Sequence, residues 1–199
     1  TRLRCDWSSD VCSSDLAPLP LKPRARLYRD GMDVLVPSVR RVPPESLSPR
    51  AKSHNYLNLI MADMEVKKQD PEAWAILLDT RGFLTEGIGS NIFTIKDGVI
   101  YTPQEQYVLG GISRETAIEM AERIDVPVVA KDLDLFDAIT ADEIFLTSTS
   151  LCICGVRSFQ GRQIGDGAAA GPITKALMDE YVDFVEFDWL GQYLKRLED

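Results

Sequence analysis

No stretch of this chain approaches the roughly 20 consecutive apolar residues of a membrane-spanning helix. No Gly-x-Gly-x-x-Gly opens a helix, no internal repeat recurs, and no segment is of low complexity. Basic residues are outnumbered, 22 against 31 acidic, and the net charge of −9 argues against nucleic acid or an anionic membrane as partner. Cysteine is scarce as well. Of the four, Cys5 and Cys12 fall in an atypical leading stretch, which leaves Cys152 and Cys154. Two thiols at i and i+2 share one face of a strand, but with no further ligand they make a poor metal site. No metal is therefore expected, and buried free thiols in a reducing cytoplasm are.

The leading stretch, residues 1–16, has neither a helical nor a strand period, and it lacks the charged start and apolar core of a signal peptide. It reads as a scar derived from a sequencing adapter. On that reading the natural protein began upstream of residue 17, residues 17–48 are a remnant and connector from a preceding small domain, and 49–199 form the main domain.

What is present is an irregular mixture of strand and helix. Residues 18–23 carry spaced prolines and no period. An apolar strand is expected over 34–42, followed by a stiff connector at Pro43, Pro44 and Pro49. Helical spacing begins near Ala51, with Tyr56, Leu59, Ile60 and Met64 on its apolar side. Strands are expected at 74–80, 91–96, 99–102, 126–130, 143–148 and 152–157. Asp97-Gly98 is the strongest hairpin signal, and Phe159-Gln-Gly-Arg162 a second tight turn. Helices are expected over 114–124 and 173–187, with a helical turn over 132–138. The sum is α/β with a mixed, largely antiparallel sheet.

Four features could carry chemistry. Gly110-Gly111-Ile112-Ser113 at a helix start offers unpaired N–H groups and the positive end of a helix dipole, an anion site or an ordinary glycine turn. Thr147-Ser148-Thr149-Ser150 ends a strand in four hydroxyls, which could complete that site or satisfy local backbone. Glu86, between two apolar runs, needs a cation or a protonated nitrogen if it is buried. Lys52, ahead of an apolar-faced helix, is a candidate amine nucleophile if it is held in an apolar setting, and a solvated lysine otherwise. An anion cradle, a buried acid and an amine together match what pyridoxal phosphate requires.

Six motifs carry a resemblance: Lys52-Ser-His-Asn55-Tyr56-Leu, Glu86-Gly-x-Gly-Ser-Asn-Ile-Phe, Asp97-Gly98, Leu109-Gly-Gly-Ile-Ser-Arg114, Asp142-Glu-Ile-Phe-Leu-Thr-Ser-Thr149 and Gly171-Pro-Ile-Thr-Lys175. In this order the chain resembles the class IV aminotransferases, the fold-type IV pyridoxal-phosphate enzymes, from about Val34 to Asp188. The resemblance implies the large C-terminal domain of the D-amino-acid/branched-chain aminotransferase fold, with the small N-terminal domain mostly missing. It implies a homodimer that moves an amino group between an amino acid, a branched-chain L-amino acid being favoured, and a 2-oxo acid. Alternatives are a D-amino-acid or R-amine transaminase, an aminodeoxychorismate lyase, or an inactive fragment lacking the small domain.

By the same resemblance Lys52 forms the Schiff base and shuttles the proton, while Glu86 pairs with the pyridine nitrogen. Gly111, Ile112, Ser113 and Thr149 hold the phosphate, Tyr56 lines the cofactor, and Arg41 contacts the phosphate or positions a loop. Ser150 and Leu151 face the substrate carboxylate. His54 is read as a helix-start residue. Two departures keep substrate identity open: the short Lys52-x-x-Asn55 hop, and Cys152-Ile-Cys154-Gly after the threonine.

Overall fold

A computed structural model describes residues 19–53 and 55–198. The stretch 1–16 and His54 therefore lie outside the described residues. The strands are β1 (Met32–Leu35), β2 (Trp74–Leu78), β3 (Leu84–Gly87), β4 (Asn91–Lys96), β5 (Val99–Thr102), β6 (Val128–Ala130), β7 (Glu143–Ser148), β8 (Cys152–Phe159) and β9 (Arg162–Gln163). The helices are α1 (Leu21–Asp30), α2 (Leu57–Gln69), α3 (Ile112–Arg123), α4 (Leu135–Ile139), α5 (Pro172–Val185) and α6 (Trp189–Leu194).

The strand order is β3-β2-β1-β8-β7-β4-β5-β6, and β3 also pairs with β4. The first six strands in this order therefore close into a ring, with β5 and β6 extending from it. Pairs β1–β2, β1–β8 and β5–β6 are parallel and the others antiparallel, as expected for a mixed, largely antiparallel sheet. Ring closure removes edges that would otherwise need covering. The middle of the core is the directly opposed pair Phe93 and Phe145, whose rings stack 4.6 Å apart. Asp97 and Gly98 both take positive φ, 50° and 78°, as a type I′ hairpin turn requires.

Three expectations about elements are corrected. Of the stretch 18–23 read as aperiodic, residue 18 lies outside the described residues, and from Leu21 onward it is helix: α1 begins there and tolerates Pro23 in its first turn, where no intrahelical N–H bond is lost. The strand expected over 34–42 stops at Leu35, just ahead of Pro37, which has no N–H for the ladder. The helix expected from Ala51 begins at Leu57, and it buries Leu59, Ala62 and Val66 rather than Ile60 and Met64. Leu59 and Ala62 face Leu77, while Val66 meets Ala73 and Ala75.

The packing of α5 has a polar anchor. The Glu143 carboxylate accepts from the Ile173 and Thr174 N–H groups at 2.9 and 2.8 Å. A negative charge there satisfies orphan donors and complements the helix dipole. It thereby fixes α5 to the strand that carries the hydroxyl run.

Candidate active site

Beyond residue 35 the chain leaves the sheet, and its backbone is held at several points. Arg41 N–H donates to the Leu78 carbonyl at 2.8 Å. The Asn58 side chain brackets the same residue, donating to the Arg40 carbonyl at 2.7 Å and accepting from Val42 N–H at 3.2 Å. That fixed backbone delivers the Arg41 side chain to Glu86, where Nε donates to Oε1 at 3.0 Å. Both groups are buried, Arg41 8% and Glu86 6% exposed. Burial pushes the Glu86 carboxyl up from its ordinary value, and the Leu109 N–H, Arg41 and Lys52 oppose this only in part.

The second oxygen of Glu86 accepts from Leu109 N–H at 2.9 Å. The Leu109 carbonyl in turn accepts from Asn91 Nδ2, also at 2.9 Å. Asn91 opens β4 directly opposite Glu86. Leu109 therefore ties the acid and the asparagine to the glycine cradle. A Cβ at Gly111 would stand 2.5 Å from Asn91 Oδ1, so only glycine lets the cradle lie this close to Asn91.

Helix α3 starts after Gly111 with no side-chain cap on its first turn. Gly111, Ile112 and Ser113 line a cavity of 330 Å³. Thr147, Ser148 and Ser90 border the same cavity, and their hydroxyls are buried without a partner among the described residues. Unpaired buried hydroxyls are uncommon and call for an acceptor or donor from a bound group. An uncapped helix N-terminus beside them suits an anion.

Lys52 lines another part of the cavity. Its Nζ donates to the hydroxyl of Tyr56, the residue just ahead of α2, at 3.3 Å. The amine is exposed rather than held in an apolar setting. Arg41, Lys52, Tyr56, Glu86, Gly111, Ile112, Ser113 and Thr149 thus all border one cavity. Arg41 stands against Glu86, and the Ile112 side chain points outward, 84% exposed, so only its backbone can serve the cradle. Ser150 and Leu151 do not border the cavity. Leu151 is fully buried, and both carbonyls are held by side chains from outside the hairpin. Among the described residues no cluster of His, Cys, Asp and Glu could hold a metal ion.

Asn91, Leu109 and Ser90 were not picked out by sequence reasoning as site residues. One signal was available: an asparagine on a buried strand must find a partner. The residues present fit pyridoxal phosphate. The cradle and orphan hydroxyls suit its phosphate, the carboxylate has lone pairs left for a ring N–H, and the exposed amine can meet an aldehyde.

A family model described as Amino-transferase class IV matches residues 8–159. The branched-chain-amino-acid aminotransferase of Escherichia coli K12 is 33% identical over 176 residues, 84% of this chain and 56% of its own. A solved T.th. branched-chain amino acid aminotransferase complexed with N-(5'-phosphopyridoxyl)-L-glutamate superposes with TM-score 0.74 at 33% identity, over 79% of this chain and 52% of that one. A branched-chain aminotransferase from Thermoproteus uzoniensis with norvaline gives 0.72 at 32% identity, over 86% and 56%. The chain spans about half the length of the curated relatives it matches.

Proposed function

This chain belongs to the class IV aminotransferase family, and from that premise we propose that it forms the cofactor-binding part of a pyridoxal-phosphate-dependent transaminase for branched-chain L-amino acids. The observation that carries the proposal is the single cavity that brings Lys52, Glu86 and the uncapped α3 N-terminus together. When bound, the cofactor supplies an electron sink for the carbanion left at the substrate α-carbon. The chain's own residues do the rest. Lys52 acts as the amine nucleophile and carries a proton at the α-carbon. Glu86, with Arg41 behind it, holds a proton on the ring nitrogen. The Ile112 and Ser113 N–H groups with the Thr149 hydroxyl hold the phosphate, Gly111 gives it room, and Tyr56 orients Lys52. Residues 49–199 supply most of these groups, and the preceding segment supplies Arg41.

A homodimer is part of the proposal. Leu57, Ile60, Met61 and Met64 lie exposed along α2, a strip of large apolar side chains next to the site. A second copy is the occupant we assign to it. Met61→Glu with Met64→Lys is expected to weaken association about tenfold or more by sedimentation velocity; a wild-type chain that sediments as a monomer would refute this. The free thiols of Cys152 and Cys154 accord with a cytoplasmic setting. Among the described residues no helix is long and apolar enough to cross a membrane.

Absorbance tests the central claim. Adding pyridoxal phosphate should produce a band at the visible edge, and L-leucine should bleach it while D-alanine and an R-amine do not. A colourless protein would defeat cofactor binding by this chain. Bleaching by D-alanine alone would move the assignment to the D-amino-acid branch.

A further inference from the structure

The turn joining β7 to β8 sits at the cavity edge, and its geometry is unusual. Leu151 N–H closes on the Ser148 carbonyl at 3.1 Å, and Cys152 then takes a left-handed φ of 55°. That conformation suits glycine or asparagine and is strained for a cysteine. Strain of this kind persists only where surrounding structure over-determines it.

The surrounding structure here is α1 and α6, the first and last α-helices among the described residues. Tyr28 of α1 donates its hydroxyl to the Leu151 carbonyl at 2.6 Å. Tyr193 of α6 donates to the Ser150 carbonyl, and Arg24 Nη1 of α1 donates to that same oxygen at 3.2 Å. Three donors therefore hold two successive carbonyls, on residues that do not border the cavity. The tyrosines also support each other, with ring centroids 4.7 Å apart, and Trp189 packs edge-on against Tyr28 at 5.7 Å. Burial raises both phenols, so they stay protonated and remain donors.

Thr147, Ser148 and Thr149, at the start of the same turn, do border the cavity. Two of their hydroxyls are the buried orphans described above. A carbonyl held from behind fixes its peptide plane, and with it the placement of these hydroxyls.

We propose that Tyr28, Tyr193 and Arg24 are positioning residues: a clasp from α1 and α6 that holds the 148–152 turn so that its hydroxyl edge meets an anion in the cavity. This rests on reading that edge as the anion-holding side of the proposed cofactor site. The clasp touches neither cofactor nor substrate, so it acts on binding more than on proton transfer.

The test is Tyr28→Phe with Tyr193→Phe in the full chain, which removes two donors while keeping the ring packing. Hydrogen exchange without cofactor should show the amides of 149–152 opening about tenfold faster, a change worth about 1.4 kcal/mol, while β2 and β4 keep wild-type protection. Pyridoxal phosphate affinity should fall about tenfold, and KM for L-leucine should rise more than kcat falls. Tyr101→Phe, on β5 and away from both the turn and the cavity, should leave all of these readings unchanged. Wild-type exchange at 149–152 in the double variant would overturn the clasp, and so would a uniform rise across the whole sheet. If the wild-type chain binds no pyridoxal phosphate, the proposed function fails, whereas the exchange measurement still decides the clasp.

Discussion

Lys52→Ala is expected to cut the amino-acid half-reaction by about 10³-fold or more, the scale of losing a group that serves as nucleophile and proton carrier. The visible-edge band should vanish in the same variant, because among the described residues no other lysine borders the cavity. Non-covalent affinity should fall much less. On the proposed reading Glu86 and the α3 N-terminus would hold the other two ends of the cofactor without help from Lys52. Lys52→Arg should be as slow as the alanine variant, since a guanidinium stays protonated at neutral pH. Adding a small primary amine should restore part of the rate to Lys52→Ala and none to Lys52→Arg, where the cavity is filled. A half-reaction within tenfold of wild type in either variant would remove Lys52 from the mechanism.

The exposure of Lys52 sharpens this expectation. Its Nζ reaches the Tyr56 hydroxyl at 3.3 Å. The cofactor would complete the enclosure that the residues alone leave open.

The residue types of the site were readable from the sequence, because glycine pairs at a helix start and hydroxyl runs at a strand end have few physical uses. Strands β4, β5 and β7 were readable for a similar reason: each is a short apolar run bounded by turn residues. The ring was not readable. Its closure depends on β3 pairing on both sides, and β3 is only Leu84–Gly87, a stretch that reads as loop. Helix α1 was hidden by Pro20 and Pro23, and α6 by its shortness and by the glycine inside it. The Arg41–Glu86 pair spans 45 positions, and no local pattern links the two residues. Helix α2 was displaced because periodicity alone weighed Ile60 and Met64 as core, while contact with β2 selects Leu59, Ala62 and Val66.

The Arg41–Glu86 pair also yields the largest expected change in stability. Glu86→Leu leaves a guanidinium buried without its counter-charge, which typically costs about 3–5 kcal/mol. Replacing both, with Arg41→Met and Glu86→Leu together, should recover most of that loss, because no unpaired charge remains. Urea unfolding of the two singles and the double measures the coupling, and strict additivity would mean that the pair does not act as a unit. The pH dependence gives an independent check. Because burial raises the folded-state pKa of Glu86 above its unfolded value, the folded chain holds the extra proton between the two. Its contribution to stability is therefore complete below the unfolded pKa and is lost as pH rises through the folded one. Glu86→Gln removes that slope, so wild type and variant should converge in pH dependence only outside the window. The same variant keeps an acceptor for Leu109 N–H but offers the ring nitrogen no charge. It should hold the cofactor on Lys52 and still slow proton removal by about 10²-fold or more. Full turnover in Glu86→Gln would leave the carboxylate as part of the structure alone.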